Sequence, residues 1–374
     1  MKGYYLFAPV EQSNYGPDSG VERKVRSQHK ALNEYLDCDL VILPPATYTG
    51  SKIEKITRRL PFTAAWRKWK YNGEFNDGDF LYIRQVYHDY SFVRYIRDIK
   101  KNNPKIKIIY EIPTYPYDQE SKASLSTLPF TLKEKNSKKK LAKYLDRIVT
   151  FYNQKDIWGV PCIDLINGYD FSQIILPERT RTNTVHVISV ALTAFWHGYD
   201  RFIAGLADYY EHGGKENIIY HYVGTVMPDH RDYVKQHHLE DHVIFHGKMS
   251  GEPLYKLMKQ SFIGLDVLGG HRKDYPISSS LKSREYFAYG IPMITSSPID
   301  FLTKDSPYQL LLPYDDSPVV IQKMLSYYHN YYDGKDCNEL SKKMRTYGEE
   351  HCDMKKTMKP VTDWLNNKCS KKCI

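Results

Sequence analysis

The chain of 374 residues has no C-x-x-C pair among its six cysteines, at 38, 162, 337, 352, 369 and 373. A zinc ribbon and a disulfide framework are therefore excluded, and the thiols read as those of a reducing compartment. No apolar run approaches the roughly 18 residues that a membrane-spanning helix needs. The expectation is a cytoplasmic protein, at most peripheral on the inner face of a membrane. No repeat recurs at a fixed period, and the 21 Gly and 20 Pro are scattered, so solenoid, propeller and collagen-like designs fall away. Charge of a single sign is also missing, since Lys and Arg exceed Asp and Glu by only 9. That mild excess admits an anionic partner. No nucleic-acid module accompanies it, so no nucleic acid is expected.

What is present fits a globular chain: 41% hydrophobic and 26% charged residues exclude wholesale disorder. Tyrosine is abundant, at 33 residues, and its apolar ring with a polar handle suits half-wet surfaces. Short apolar runs alternate with helical patterns, which predicts an α/β fold with parallel strands. Strands are expected at Tyr4–Ala8, Leu40–Leu43, Phe80–Ile83, Ile106–Glu111, Arg147–Phe151 and Cys162–Ile166. The second half repeats the pattern at His186–Ala191, Ile218–Val223, His242–His246, Ile263–Leu268 and Pro292–Thr295. Leu176–Thr184 is polar, contains proline and lacks periodicity, and reads as a linker. The expected architecture is thus two Rossmann-like, doubly wound domains, 1–175 and 185–350, facing a central cleft. A tail, 351–374, follows and is expected to pack back toward the first domain.

The most informative segment runs from Ser278 to Pro292 (SSSLKSREYFAYGIP). Its serines are good helix caps, and Gly290 followed by Pro292 ends the helix. The amino end of such a helix presents unpaired N–H groups and partial positive charge, which suits a phosphate. Lys282 and Glu285, three apart, share one face. The lysine can neutralise a diphosphate, and the carboxylate can accept from ribose hydroxyls. An exposed Lys–Glu pair on a solvated helix is the bland alternative.

In this context the segment resembles the donor-binding helix of retaining nucleotide-sugar glycosyltransferases of family four, which have the GT-B fold and serve bacterial polysaccharide biosynthesis. The likeness extends along the chain. It takes in Ser19-Gly20-Val21-Glu22 after the first strand, Thr150 to Asp170, Val190 to Leu206 with Trp196-His197-Gly198-Tyr199-Asp200, and Phe245-His246-Gly247. The resemblance implies transfer of a sugar from a nucleotide-diphosphate donor to a glycan or lipid-linked acceptor, with retention. It implies no cofactor and no obligate metal, the nucleotide-sugar being a substrate. The implied donor site comprises Ser279, Ser280, Leu281, Lys282 and Glu285, with His197 and Arg272 as further phosphate partners. Two departures stand out. The family often carries a second glutamate, whose place here is Ile277. Its diphosphate-binding Arg and Lys align with Leu192 and His197, and Arg272 and Lys273 in the loop Gly269–Lys273 are the expected substitutes, a solvated loop being the alternative.

On the acceptor side, Ser19, Gly20, Arg84 and Tyr115 are candidates. Glu111 and Asp118 are the candidate catalytic carboxylates, in a loop whose prolines end regular structure. Lys52–Lys70 interleaves basic with apolar and aromatic residues, as a segment lying on an anionic bilayer would. It reads equally as helices packed over the first sheet. Lys133–Lys143 reads chiefly as a solvated helix face. Two other functions compete: a nucleotide-sugar epimerase of the same fold, and a basic polyanion-binding protein.

Overall fold

The computed structural model describes residues 1–9, 16, 19–45, 51–60, 62–113, 115, 128–151 and 153–367. The chain forms two compact units, Met1–Leu165 with the residues from Thr357 on, and Ile166–Lys356. Each is built on a largely parallel sheet, as the sequence predicts.

The first unit contains β1 (Lys2–Phe7), α1 (Gly20–Asn33), β2 (Asp37–Ile42), α2 (Lys52–Thr57), β3 (Phe80–Arg84) and α3 (Tyr90–Asn102). It continues with β4 (Lys107–Glu111), α4 (Leu128–Ala142), β5 (Arg147–Thr150), β6 (Asp156–Ile157) and β7 (Val160–Asp164). The strand order is β2-β1-β3-β4-β5-β7-β6, with β6 alone antiparallel, in a hairpin with β7. β3 is buried at all five positions, the continuous apolar run of a strand covered on both faces. α3 begins at Asp89, whose carboxylate accepts from the Ser91 and Phe92 amides. It buries Phe92, Ile96 and Ile99 at helical spacing against the sheet.

The second unit contains β8 (Thr184–Leu192), α5 (Tyr199–Glu211), β9 (Asn217–Thr225), α6 (Pro228–Gln236), β10 (Val243–Gly247) and α7 (Gly251–Gln260). There follow β11 (Ile263–Leu265), α8 (Leu281–Tyr289), β12 (Met293–Thr295), β13 (Gln309–Leu311), α9 (Ile321–Tyr332) and α10 (Cys337–Cys352). The chain leaves this unit within α11 (Met354–Leu365). Its six strands are all parallel, in the order β10-β9-β8-β11-β12-β13. Connections therefore run one way from β8 and the other way from β11. The switch falls between these two strands, where open sheets of this kind bind ligands at the carboxyl ends.

The stretch read as a linker, Leu176–Thr184, lies inside the second unit, and the division falls between Leu165 and Ile166. Arg179 explains its polarity. Its buried guanidinium donates to the carbonyls of Met258 (2.7 Å), Lys259 (2.7 Å) and Ser261 (2.5 Å) at the end of α7. It also donates to the Tyr289 carbonyl, 2.8 Å away at the end of α8. Burial lowers Arg179 to about 10. Four carbonyls without a helical N–H partner thus share one cation.

Arg179→Ala strands those carbonyls. Each buried unsatisfied group costs about 1–3 kcal/mol, so a loss of about 3 kcal/mol or more is expected in urea denaturation. Arg179→Lys should recover less than half, because an ammonium lacks the planar fork. An unchanged midpoint in Arg179→Ala would refute this role.

Candidate functional site

The residues singled out in the second unit converge at its switch point. β11 ends at Leu265, and Asp266 follows, fully buried. Its carboxylate accepts from the Ser278 hydroxyl at 2.6 Å and from the Ser280 hydroxyl, and lies 4.0 Å from the Lys282 ammonium. Ser280 caps α8, accepting from the Ser283 amide at 3.1 Å. The helix occupies Leu281–Tyr289, the span expected from its caps, and ends at Gly290 in the left-handed region (φ 65°). A side chain at Gly290 would also run into the backbone of Ser341, so both conformation and space require glycine.

Lys282 is almost enclosed, with 13% of its side chain exposed. Burial lowers its pKa below that of a free lysine, and the nearby Asp266 opposes the shift. Glu285, one turn on, is half-buried. Ser279 points elsewhere: its hydroxyl donates to Asp300 at 2.7 Å. The buried Arg284 pairs with the same carboxylate and donates to the Asn167 carbonyl at 2.9 Å, fixing the amino end of α8 from behind. Leu281 is half-buried and Ile277 exposed.

Beyond β8, a 3-10 turn at Phe195–His197 brings His197 beside the α8 lysine. Burial, reinforced by Lys282 and Lys273, pushes this imidazole down to about 2, so it is neutral. Its Nδ1 accepts the Ala194 amide at 2.9 Å, so the proton resides on Nε2, which remains a donor. The ring stacks on Tyr199 at 5.5 Å. Gly198 follows at φ 67°, pressed against the backbone of Leu268 and Gly269, which draws the β8 and β11 loops together.

Arg272, expected as the phosphate cation, is already paired with carboxylates. Its guanidinium forms a fork with Asp200 (2.8 and 2.6 Å) and reaches Asp316 at 2.7 Å, and these carboxylates hold it firmly charged. It acts as a clamp between loops. Asp266 is the residue that the sequence reading missed. A lone aspartate after a strand is unremarkable until the fold closes serines and a lysine around it.

In the first unit, Glu111 does not project into solvent. Its carboxylate is fully buried at the end of β4, paired with Arg84. It also accepts from Tyr82 (2.5 Å) and Gln28 (2.8 Å), with the Lys24 ammonium at 3.8 Å. Arg84 is likewise spent on this cluster, and burial lowers its pKa. Ser19 caps α1, accepting from the Glu22 amide at 3.3 Å, and Gly20 opens the helix. Tyr115 is half-buried, and Asp118 lies outside the described residues. Two Asp-x-Asp triplets, Asp37-Cys38-Asp39 and Asp77-Gly78-Asp79, occur in this unit. Asp37 and Asp39 are exposed on the edge strand β2; Asp77 pairs with Lys2 at 2.5 Å, and Asp79 accepts the Lys2 amide at 2.9 Å. Among the described residues no group of three or more His, Cys, Asp or Glu side chains is arranged to hold a metal ion.

No protein-family model matches the chain, and no curated protein sequence does. Its structure is similar to that of a glycosyltransferase from Rickettsia africae, with a TM-score of 0.63 at 9% identity over 98% of this chain and 99% of that one. It is similar to Anabaena HepE, solved in complex with UDP-glucose, with a TM-score of 0.57 at 11% identity over 98% of this chain and 100% of the other. WaaG, a glycosyltransferase involved in lipopolysaccharide biosynthesis, gives a TM-score of 0.56 at 12% identity over 98% and 99% of the two chains. At these identities the likeness is one of fold, and it spans both units. The chain has the GT-B fold.

Proposed function

We propose that the protein is a glycosyltransferase that uses a nucleotide-diphosphate sugar as donor. The observation that carries this reading is the convergence at the β8–β11 switch point of the capped amino end of α8, Lys282 and a neutral His197. Similar folds include HepE in complex with UDP-glucose, which supports a nucleotide-sugar ligand. In the proposal the diphosphate meets the α8 amides, the Ser280 region and Lys282, while Glu285 accepts from the ribose. His197 donates from Nε2 to a phosphate or sugar oxygen. Charge grows on the leaving diphosphate as the glycosidic bond breaks, so fixed dipoles and a cation bind the transition state more tightly than the ground state. The reading needs no metal to supply that charge. Retention, membership of family four and a role in surface polysaccharide synthesis belong to the same proposal, supported by the sequence motifs around α8. An epimerase or a polyanion-binding protein is not favoured.

Lys282→Ala and Glu285→Ala should each weaken nucleoside-diphosphate binding by about tenfold or more, the worth of a hydrogen bond to a charged group. Glu285→Ala should melt near the parent, whereas Lys282→Ala, which removes the cation beside the buried Asp266, should melt lower, and its affinity is read below its own transition. Thermal shifts against a panel of nucleotide sugars identify the donor. Unaltered affinity with unaltered melting would remove both residues from the site.

The lowered lysine also sets a pH dependence. Binding needs the ammonium, so affinity should be level near neutrality. It should fall as pH rises through a value below the ordinary lysine 10.5. The phosphates of the nucleotide have lost their last protons by then, their upper pKa being about 6. Lys282→Arg should abolish the alkaline fall; a fall that persists in that variant would contradict the assignment.

Glu111 is enclosed, so Asp118 is the acceptor-side carboxylate of the proposal. Glu111→Gln leaves Arg84 and Lys24 buried without their counter-charge and should cost about 3–5 kcal/mol of stability. Its donor affinity should be unchanged below the transition; an unaltered denaturation midpoint would show that the cluster is not structural.

We also propose a peripheral contact with anionic membranes through α2 and the turn after it. Ile53, Ile56, Leu60 and Phe62 are 77%, 63%, 49% and 79% exposed, interleaved with exposed Lys52, Lys55 and Arg59. Arg58, by contrast, is buried against Trp66. Among the described residues no helix is long and apolar enough to cross a bilayer. Replacing the three exposed cations with Gln should cost about 1 kcal/mol each in binding to anionic vesicles. A parent protein that ignores such vesicles overturns the idea.

A further inference from the structure

β1 alternates its side chains between two environments. Tyr5 faces α1, donating to Gln28 at 2.8 Å and stacking on Tyr82 at 4.8 Å. Tyr4 and Leu6 face the other way, and the register pairs Leu6 with Val41 of β2. The residues between β2 and β3 include only the six-residue α2 as regular structure among those described, and α2 does not cover this flank of the sheet. A cavity of about 670 Å3 lies there instead, within the roughly 300–1,000 Å3 of small-ligand sites.

Its apolar floor is Tyr4, Leu6, Val41 and Leu43, and its walls come from the coil around Trp69 and Phe75 and from Tyr95 of α3. The walls are fixed. Trp69 packs on Phe92 at 4.9 Å and on Tyr95 at 5.1 Å, and Phe75 packs on Tyr4 at 4.9 Å. Arg67 donates to the Pro44 carbonyl and so ties the coil to the end of β2.

The lining carries three cations, Arg67, Lys68 and Lys70, against two acids, of which Asp77 alone is met by a cation. Glu74 accepts from the Tyr95 hydroxyl (2.9 Å) and the Asn72 amide (2.7 Å). Asp77 accepts from the Lys2 ammonium (2.5 Å) and the Tyr4 hydroxyl (2.6 Å). Lys68 and Lys70 also line the cavity and are exposed, and among the described residues neither has an ion pair. An aromatic and aliphatic floor next to two available cations matches a ligand with an apolar chain and an anionic head.

We propose that this cavity binds a phosphate-bearing amphiphile, its chain lying on the partly buried Val41, Leu43 and Trp69 and its phosphate paired with Lys68 and Lys70. The inference does not depend on the donor reading and is tested without transfer. Calorimetry of the full chain would compare decyl phosphate, below its micelle concentration, with decanol and with inorganic phosphate. Decyl phosphate should bind at least tenfold more tightly than either. The double variant Lys68→Gln/Lys70→Gln, altered only at the surface, should lose about tenfold for decyl phosphate and nothing for decanol. Val41→Trp, which fills the floor, should lose both ligands at an unchanged melting temperature. Decyl phosphate binding no better than inorganic phosphate, or binding indifferent to the lysine variant, overturns the proposal. Anionic vesicles separate the two sources of such a ligand. If Val41→Trp weakens vesicle binding as well, the ligand is a bilayer lipid. If vesicle binding survives while decyl phosphate binding is lost, the cavity takes a separate amphiphile.

Discussion

The second unit depends on how α8 is held by its carboxyl end. Arg179 takes the Tyr289 carbonyl, and Arg345 of α10 takes that of Ala288 at 3.0 Å together with those of Ile174 and Phe171. Two guanidinium groups therefore sit where the helix dipole is negative and its carbonyls lack partners. Gly290 turns the chain away against Ser341, whose hydroxyl returns a hydrogen bond of 3.1 Å to the Gly290 carbonyl. The amino end is fixed separately, by Asp266 on the serine hydroxyls and by Arg284 on the Asn167 carbonyl. It can keep its first amides and Lys282 for chemistry.

The same arrangement explains why so polar a group of residues is tolerated beside β11. Asp266 is fully buried, a costly position for a carboxylate unless it is hydrogen-bonded and paired. Two serine hydroxyls and the Lys282 ammonium satisfy it. The lysine is thereby positioned and its charge partly offset, so it is not a bare buried cation. In the proposed reading a diphosphate would add negative charge next to Asp266, and Lys282 would be shared between the two. On this electrostatic argument the site favours a ligand whose charge grows during reaction over one that is merely anionic.

The parts of this legible in sequence are those governed by local rules. α8 occupies the span its serine cap and Gly-x-Pro stop predict, because both signals act within a turn of the helix. The buried strands are visible as apolar runs, whereas β6, of two residues, is too short to make a pattern. Polar residues whose partners are distant were misread in a consistent way. Arg179 reads as linker polarity, Arg272 as a phosphate ligand and Glu111 as a catalytic carboxylate. Each instead has its charge met inside the fold, by carbonyls, by Asp200 and Asp316, and by Arg84. Sequence shows that a charge exists; only the fold shows whether it is already spent.

That distinction also separates the two halves of Lys52–Lys70. By composition they are alike, basic residues interleaved with apolar ones. In the structure Arg58 stacks 3.9 Å from Trp66, Trp66 packs on Phe130 at 5.3 Å, and Lys133 of α4 donates to the Arg58 carbonyl at 2.6 Å. These contacts anchor the middle of the segment to α4. What they leave over lies on either side: the apolar face of α2 before the anchor, and the walls and lysines of the β1–β2 cavity after it. An anchored centre lets both flanks present apolar surface without collapsing onto each other. Among the described residues Lys68 and Lys70 form no ion pair, the lining acid Asp77 being paired with Lys2. An unspent cation beside exposed apolar surface is the signature that sets this region apart from the buried arginines of the second unit.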